Sequence, residues 1–528
     1  MILNNICRGD KETQYIIVQA GGKGTRLGYL TKNKPKCMAP VENLPMLFHL
    51  FRKYPDKRYI IIADYKEDVL REYLATFSDV KYLLIKADGK GTCGGLKQAM
   101  ELLPENERFM LIWSDLILPD GFDFPTGYRE SDSDADVDYV GLSATFPCRW
   151  KYENGEFSEE KSTEYGVAGF FLFRDKRILK DVPEGGELVR WMQESRMSFA
   201  TVSLAGTREF GILEEYEKLA QVKTRPFNSI MVKDGILTKK PIDEQGRILA
   251  KRECAWYEKA KELKTDGIPH IIGTDPLQME YINGRNIYEC ALDYKSKRNV
   301  LEKLVQTLQA LHESSTVAAD YFSIQEAYYK KTINRLSKIE YMVPFAREKY
   351  IEVNGRKCRN VFFYKEQLEK RLAGLRTERF AFIHGDCTFS NLMIRDSGEP
   401  VLIDPRGYFG FTSLYGDARY DWAKLYYSIV GNYDRFNLKK FTLDIGGRSI
   451  VDGEVIQDLN EGEVRLSIES NGWEDMEEDF FSLTGADRYE IRLLHAVIWL
   501  SLTTYAWQDY DSICGAFYNG LYYLEEVL

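Results

Sequence analysis

Two stretches of the 528-residue chain gather side chains that can handle phosphate. The first is Gln19-Ala20-Gly21-Gly22-Lys23-Gly24-Thr25-Arg26-Leu27-Gly28, with Pro35-Lys36 close behind. Glycine has no Cβ, so backbone amides in such a loop can approach phosphate oxygens. Arg26 and Lys36 add the positive charge that a triphosphate needs. The string is neither a P-loop nor a GxGxxG dinucleotide fingerprint. The second stretch is Phe382-Ile383-His384-Gly385-Asp386, then Asn391, then Val401-Leu402-Ile403-Asp404. Phosphoryl transfer to a hydroxyl asks for that set. One carboxylate orients and deprotonates the hydroxyl, and an asparagine and an aspartate hold Mg²⁺ against the ATP phosphates. His-x-Asp alone is common, whereas HGDxxxxN followed by an apolar run ending in aspartate is specific.

The elements that must carry these residues alternate. YIIVQA, KRYIIIAD (57–64), VKYLLIKA (80–87) and RFMLIWSD (108–115) read as strands, and 67–76 and 95–103 as helices. Apolar strands alternating with helices predict an α/β layer, a mainly parallel sheet covered on both faces. Ligands bind such sheets beyond the carboxyl ends of the strands. Residues 228–241 read as two strands joined at Lys233-Asp234-Gly235, a hairpin signal. Helices dominate from about 295, and 440–475 reads as a strand-rich insertion between helices. Arg225-Pro226 marks a local break. The division expected is 1–225 and 226–528, the second part splitting into a small lobe (226–284) and a helical large lobe (285–528).

Bulk composition narrows the class. A net charge of −10 with mixed signs and no basic block disfavours non-specific nucleic-acid binding. The nine cysteines include no CxxC pair, and the five histidines show no zinc-ligand spacing. Both facts argue for a reducing compartment. The first residues turn polar too soon for a signal peptide, and the most apolar late segment, 493–507, is too short and polar to span a bilayer. The expectation is a cytoplasmic protein with no membrane and no nucleic-acid partner, compatible with a homo-oligomer.

The full string GGKGTRLGxxTxxxPKxMxPV resembles the signature of sugar-phosphate and choline-phosphate nucleotidyltransferases, over roughly 14–220. Three further segments match in order. Gly91-Thr92-Cys93-Gly94-Gly95 resembles the family's base-contacting loop, and Ser114-Asp115 its metal-binding aspartate. Glu209-Phe210-Gly211, with Tyr216, resembles the later segment whose first acid is the second metal ligand, although Glu209 stands where the family has aspartate. Glu164-Tyr165-Gly166-Val167-Ala168-Gly169 fits the family's substrate-side strand. The resemblance implies a Rossmann-like sheet. Gln19, Gly21, Gly22, Gly24, Thr25, Thr92 and Gly94 would contact nucleotide. Arg26 would sit on the leaving phosphates, Lys36 near the α-phosphate, and Asp115 and Glu209 on Mg²⁺. Cys37 and Cys93 inside the motifs read as small fillers, since a catalytic cysteine needs a nearby base.

The second constellation is similar to the aminoglycoside phosphotransferase/choline kinase family, from about 226 to the end. The resemblance implies a bilobal α+β protein-kinase-like fold, with Asp386 as catalytic base and Asn391 and Asp404 as metal ligands. His384 would support the loop. Gly416-Asp417-Ala418-Arg419-Tyr420-Asp421 resembles a family helix start, with Asp417 as cap and Asp421 structural. Thr238-Lys239-Lys240 would be the strand carrying the ATP-binding lysine, and Glu253 its helical partner. Alternation puts Lys239 and Lys240 on opposite faces and leaves the choice open. Gln278-Met279-Glu280 resembles the hinge where adenine binds, which makes Glu280 a nucleotide-site residue. His312 reads as structural. Asp404-Pro405-Arg406 departs from the family and reshapes the pocket beside the metal. Arg406 there suits an anionic substrate or the ATP phosphates.

A kinase makes a phosphomonoester and a nucleotidyltransferase consumes one, so the pair implies consecutive steps. ATP and CTP (or UTP) would be substrates, with Mg²⁺ at both sites, and the product would feed cell-surface polysaccharide. Choline kinase with phosphocholine cytidylyltransferase has this logic, and so does a sugar kinase with a uridylyltransferase. A choline pocket wants aromatic faces and an acid; Trp499, Tyr505, Trp507 and Asp509 lie where relatives place substrate residues, although an aromatic-rich helix is more often core. The reading leans slightly to a choline-like alcohol over a sugar. The rivals are a nucleotide sensor with one degenerate head, and a protein kinase, which the HGD form disfavours.

Overall fold

The computed structural model describes residues 13–87, 91–125, 137–211, 213, 216, 217, 228–451 and 454–528, the side chains of 448–458 excepted. The chain divides into two compact units, Met1–Lys223 with Ser449–Val455, and Thr224–Arg448 with Ile456–Leu528. The break expected at Arg225-Pro226 lies outside the described residues.

In the first unit the apolar runs form the strands Tyr15–Gln19, Arg58–Ala63, Lys81–Lys86 and Phe109–Trp113. They pair in parallel, with Tyr15–Gln19 between Arg58–Ala63 and Phe109–Trp113, and Lys81–Lys86 outside Arg58–Ala63. The helices Glu67–Phe77 and Leu96–Leu102 lie on the expected segments. Beyond these four parallel strands the sheet continues with antiparallel pairs. Gly166–Phe173 runs antiparallel to Phe109–Trp113, and Tyr139–Ser143 antiparallel to Gly166–Phe173. Every residue of Gly166–Phe173 is buried. An unbroken apolar run says that a strand is covered on both faces but not which way it runs. The core joins Ile17, Ile60, Leu111 and Phe171 of the sheet to Leu96, Leu188 and Met192 of covering helices. Because Tyr15–Gln19 has a neighbour on each side, the loops after Gln19 and Trp113 open together at the carboxyl edge, where such sheets bind ligands.

The second unit opens on the strands Asn228–Lys233 and Ile236–Pro241. Asp234 and Gly235 between them have φ of 52° and 74°, the left-handed pair that a tight hairpin turn requires. Leu277–Glu280 and Ile271–Thr274 complete a four-stranded sheet. The helix Glu244–Glu262 packs against it, capped by Asp243, whose side chain accepts the Gly246 N–H at 2.6 Å. Leu277 and Met279 of this sheet share one core with Trp256, Leu304, Phe382, Leu402 and Leu425, which fixes the small sheet onto the helical lobe. The segment expected to be strand-rich forms the long strands Phe441–Val451 and Glu454–Ile468. The latter pairs with Tyr350–Val353 at Val353↔Val464, where the Asn354 side chain bonds both polar backbone groups of Leu466 at 2.9 and 2.8 Å. Among the described residues no helix is long and apolar enough to cross a membrane.

Candidate active sites

In the first unit the glycine-rich loop leaves the sheet at Ala20 and tightens into a 3₁₀ turn, Thr25–Thr31. Gly24 enters that turn at φ 66°, and a Cβ there would stand 3.0 Å from Lys36 Cβ. Only glycine lets the loop close onto this lysine. A Cβ on Gly21 would meet Asp64, whereas one on Gly22 would meet nothing. Among the described residues no packing therefore demands glycine at position 22, and its bare backbone faces space of the kind a phosphate can enter. Thr31 Oγ1 donates to the Gly24 carbonyl at 2.9 Å and locks the turn. Leu27 and Leu30 sink into a small cluster with Ala39, Val41, Ile117 and Phe210.

Phe210 in that cluster positions the two acids. Its N–H donates to the Asp115 carbonyl at 3.1 Å, and Glu209 pairs with Leu116 across a two-residue ladder. Burial of the Phe210 ring, about 1.5–3 kcal/mol, thus brings Glu209 beside Asp115. The Lys36 ammonium ion-pairs with Asp115 Oδ2, while Asp115 Oδ1 is buried with no hydrogen-bond partner among the described residues. Arg26 and Glu209 flank Gly211, a Cβ on which would lie 3.2 Å from Arg26 Nη2. The thiol of Cys148 is pushed up to about 12 by burial first, then by Glu209 and Asp115, so one buried cysteine feels both carboxylates. An orphaned Asp115 oxygen next to a glutamate is an all-oxygen donor set. That suits Mg²⁺, which takes one or two carboxylates and completes its shell with phosphate and water. Gln19 Nε2 donates to the Thr92 carbonyl at 2.7 Å, and Thr92 Oγ1 accepts the Leu188 N–H at 2.8 Å. Gly94 N–H is also taken, by the Gly91 carbonyl at 3.0 Å. These three residues brace one loop against another, so what Gly91–Gly95 can offer a base is its shape more than free polar groups. Burial raises the Cys37 and Cys93 thiols to about 12 and 11, which makes inert fillers of both.

In the second unit the strand Ile236–Pro241 settles which lysine faces inward. Lys239 Nζ lies 2.7 Å from Glu253 Oε2 and 2.8 Å from Asp404 Oδ1, whereas Lys240 is exposed on the other face. Burial pushes the Glu253 carboxyl up to about 7, and the Lys239 ammonium pulls against that rise. Asp404 holds a left-handed φ of 53°, uncommon for a residue with a side chain and found where function over-determines the backbone.

Asp386 sits at the end of the strand Arg379–Phe382. Its carboxylate meets Lys424 Nζ at 2.9 Å and accepts from the Asn391 amide at 3.0 Å. Burial alone would raise its pKa, but Lys424, joined by Arg406 and His384, holds the carboxyl below the usual range. The loop is fastened from beneath. Asp421 accepts the N–H groups of His384 and Gly385 at 2.9 and 2.7 Å, and it also meets His312 Nε2 at 3.0 Å. His384 bonds the Ile403 carbonyl at 2.9 Å, tying the Asp386 loop to the strand that delivers Asp404. Asp417 caps the helix Ala418–Ile429. The Ile403 N–H donates to the Asn391 carbonyl at 2.9 Å and so ties the stretch that carries Asp404 to Asn391, two side chains with oxygens of the kind Mg²⁺ takes.

Four candidate side chains point away from the sites or are engaged elsewhere. Lys240 does not reach the site, for the reason of alternation. The Glu280 carboxylate is consumed by an ion pair with Arg395 and by the His270 N–H at 2.9 Å, so its side chain is a lobe fastener. Asp509 is a helix cap, accepting the Ser512 N–H at 3.1 Å, and Trp499 is wholly buried against His495. Sequence reasoning missed Lys424. Its signal is a lysine within Trp422-Ala423-Lys424-Leu425-Tyr426, on a helix whose neighbouring positions are buried.

Comparison with known proteins follows the same division. Residues 15–139 match the family model "Nucleotidyl transferase". The UTP–glucose-1-phosphate uridylyltransferase AglF of Haloferax volcanii is 37% identical over 174 residues, 30% of this chain and 70% of that protein. The chain belongs to the nucleotidyl transferase family. Residues 267–441 match the family model "Phosphotransferase enzyme family", so the two matches lie one after the other along one polypeptide. The glucose-1-phosphate cytidylyltransferase of Salmonella typhimurium is 28% identical over 165 residues, 25% of this chain and 60% of the relative's own length. Among solved structures, HddC from Yersinia pseudotuberculosis aligns at 22% identity with a TM-score of 0.33, covering 39% of this chain and 98% of that one.

Proposed function

We propose that this chain is a bifunctional enzyme whose phosphotransferase unit phosphorylates an alcohol with ATP and whose nucleotidyl transferase unit couples the phosphomonoester to a nucleoside triphosphate. The supporting observation is that in each unit groups from distant parts of its own sequence meet in pairs. These are Lys239, Glu253, Asp386, Asn391 and Asp404 in one, and Arg26, Lys36, Asp115 and Glu209 in the other. In the first step the acceptor hydroxyl attacks the γ-phosphorus, its proton passes to Asp386, and ADP leaves. Lys239, anchored by Glu253, steadies the ATP phosphates. Asn391 and Asp404 would hold Mg²⁺, which supplies charge neutralisation at the phosphates. In the second step a phosphate oxygen of the monoester attacks the α-phosphorus of the nucleotide, and pyrophosphate leaves. Arg26 and Lys36 neutralise the leaving and α-phosphates, and Asp115 and Glu209 would hold the second Mg²⁺.

CTP is the first choice of nucleotide, with UTP the alternative. A choline-like acceptor meets an objection within the protein. The tyrosines beside Asp386 already hold a cation, since Lys424 Nζ lies 5.5 Å from the Tyr427 ring and 5.9 Å from that of Tyr433. A second reading, in which the acceptor is a sugar and the product a nucleotide-sugar, is favoured by the relatives of the nucleotidyl transferase unit, which act on sugar 1-phosphates by name. Either product is an activated building block for cell-surface glycan, made in the cytoplasm. The test is separable loss. Asp386→Ala is expected to cut acceptor-dependent ADP release by about 10²–10⁴-fold, with pyrophosphate release from supplied phosphomonoester intact. Asp115→Ala is expected to do the reverse. Loss of both activities in either folded variant would overturn the two-site assignment.

A further inference from the structure

The surroundings of Asp386 carry more positive charge than phosphoryl transfer from ATP uses. Four cations from three segments of the phosphotransferase unit converge there. Lys424 meets Asp386 itself at 2.9 Å. Arg406 donates to the hydroxyls of Tyr420 and Tyr408 at 2.8 and 2.7 Å, and its charge acts on Asp386. Lys331 lies 6.0 Å from the same Tyr420 ring. Arg335 bonds Ser501 Oγ at 3.1 Å and lies 5.7 Å from the ring of Tyr505, which feels both Asp386 and Arg406. Among the described residues no carboxylate ion-pairs with Lys331, Arg335 or Arg406. Asp404 is engaged by Lys239, and the field of Glu326 on Lys331 is weaker than those of Arg406, Arg335 and Lys424.

The crowding bears on Lys331. Burial, then Arg406, Arg335 and Lys424, drive the Lys331 ammonium well below its ordinary range. Cations gathered out of water without counter-ions are unfavourable by themselves, and such perturbed clusters collect where a ligand supplies the missing charge. The ATP phosphates have their own lysine, Lys239, on the small sheet. The faces of the tyrosines are taken from inside, by Lys424, Lys331, Arg406 and Arg335. A cationic acceptor would therefore face repulsion and no free aromatic cage.

We propose that the acceptor of the phosphotransferase unit is an alcohol bearing an anionic group, a carboxylate or a phosphate ester, held by Arg335, Arg406 and Lys331 while its hydroxyl is presented to Asp386. This rests on the phosphotransferase reading above. The hydroxyl oxygen gains the γ-phosphoryl group, Asp386 takes the proton, ADP departs, and the anionic group stays unchanged.

The test uses the full chain with ADP and Mg²⁺, and calorimetric titration with four probes: glycerol 3-phosphate, glycerate, glycerol and choline. One or both anions are expected to bind, the stronger arm naming phosphate or carboxylate, with glycerol and choline at least tenfold weaker. Arg335→Gln and Lys331→Met are each expected to weaken the anion tenfold or more and to leave ADP affinity as it was, with Arg335→Lys restoring part of the loss. Choline binding more tightly than both anions, or no binding by either anion, overturns the proposal. So does a variant whose ADP affinity falls together with its anion affinity, since the cluster would then serve the nucleotide. Failure of the phosphotransferase reading looks different: no alcohol of any charge would support ADP release, and Asp386→Asn would change nothing.

Discussion

At the scale of the residue, chemistry turns on which way a side chain points. Lys239 and Lys240 are neighbours of one type, yet only Lys239 reaches Glu253 and Asp404. Lys239→Ala is expected to lower phosphotransferase kcat/KM on the order of 10²-fold or more, the loss of a charged contact to a transferring phosphate. Lys240→Ala is expected to stay within a few-fold, and steady-state ADP release checks both. Glu253 gives the same site a pH signature. As the pH falls through about 7, its raised carboxyl takes up a proton and Lys239 loses half of its anchorage. The KM for ATP should therefore rise between pH 8 and 6, and Glu253→Gln should flatten that limb. In the other unit Gly169 has φ 81°, and a Cβ there would overlap the ring of Trp113. Gly169→Ala is expected to cost about 1–3 kcal/mol through overpacking and backbone strain, read as a lowered unfolding midpoint of the nucleotidyl transferase unit.

At the scale of the element, the catalytic loop is held by a helix that never touches substrate. Asp421, on Ala418–Ile429, is fully buried and accepts from two loop amides while pairing with His312. Asp421→Ala leaves those donors without partners, a loss of about 3–5 kcal/mol for a broken buried pair. Chemical denaturation should show it as destabilisation of the phosphotransferase unit. The two-residue ladder of Arg208 and Glu209 does comparable work in the first unit, because Phe210 anchors it. The strand-rich character of Phe441–Val451 and Glu454–Ile468 was legible, but the pairing of Glu454–Ile468 with Tyr350–Val353, about 110 residues away, was not. Alternation within a strand carries no address for its partner.

At the scale of the molecule, the two units should answer acid differently. Four of the five histidines lie in the phosphotransferase unit. Burial lowers His384, and it lowers His495 to about 3, where His495 Nε2 accepts from the Trp499 indole at 2.9 Å. A depressed folded pKa gives stability that is present above the unfolded value near 6.5. It is lost as the pH falls from there, at about 1.4 kcal/mol per pH unit for each such group. Between pH 6.5 and 4.5 the phosphotransferase unit should lose stability steadily, and pyrophosphate release should outlast ADP release. His495→Phe should shrink that slope, as denaturation at a series of pH values would record.

The sequence by itself determined the residue types and their local carriers. A glycine-rich turn after an apolar strand, and Asp386, Asn391 and Asp404 at the ends of short apolar runs, are properties of consecutive residues, and period and spacing carry them. Tertiary structure alone decided what depends on distant segments meeting. It chose Lys239 over Lys240, took Glu280 into an ion pair with Arg395, and turned Asp509 into a cap. It also gathered Lys331, Arg335, Arg406 and Lys424 around one aspartate. The reason is physical. Charge acts through space, and four cations spread over some ninety residues of sequence show their common field only when the chain has folded them together.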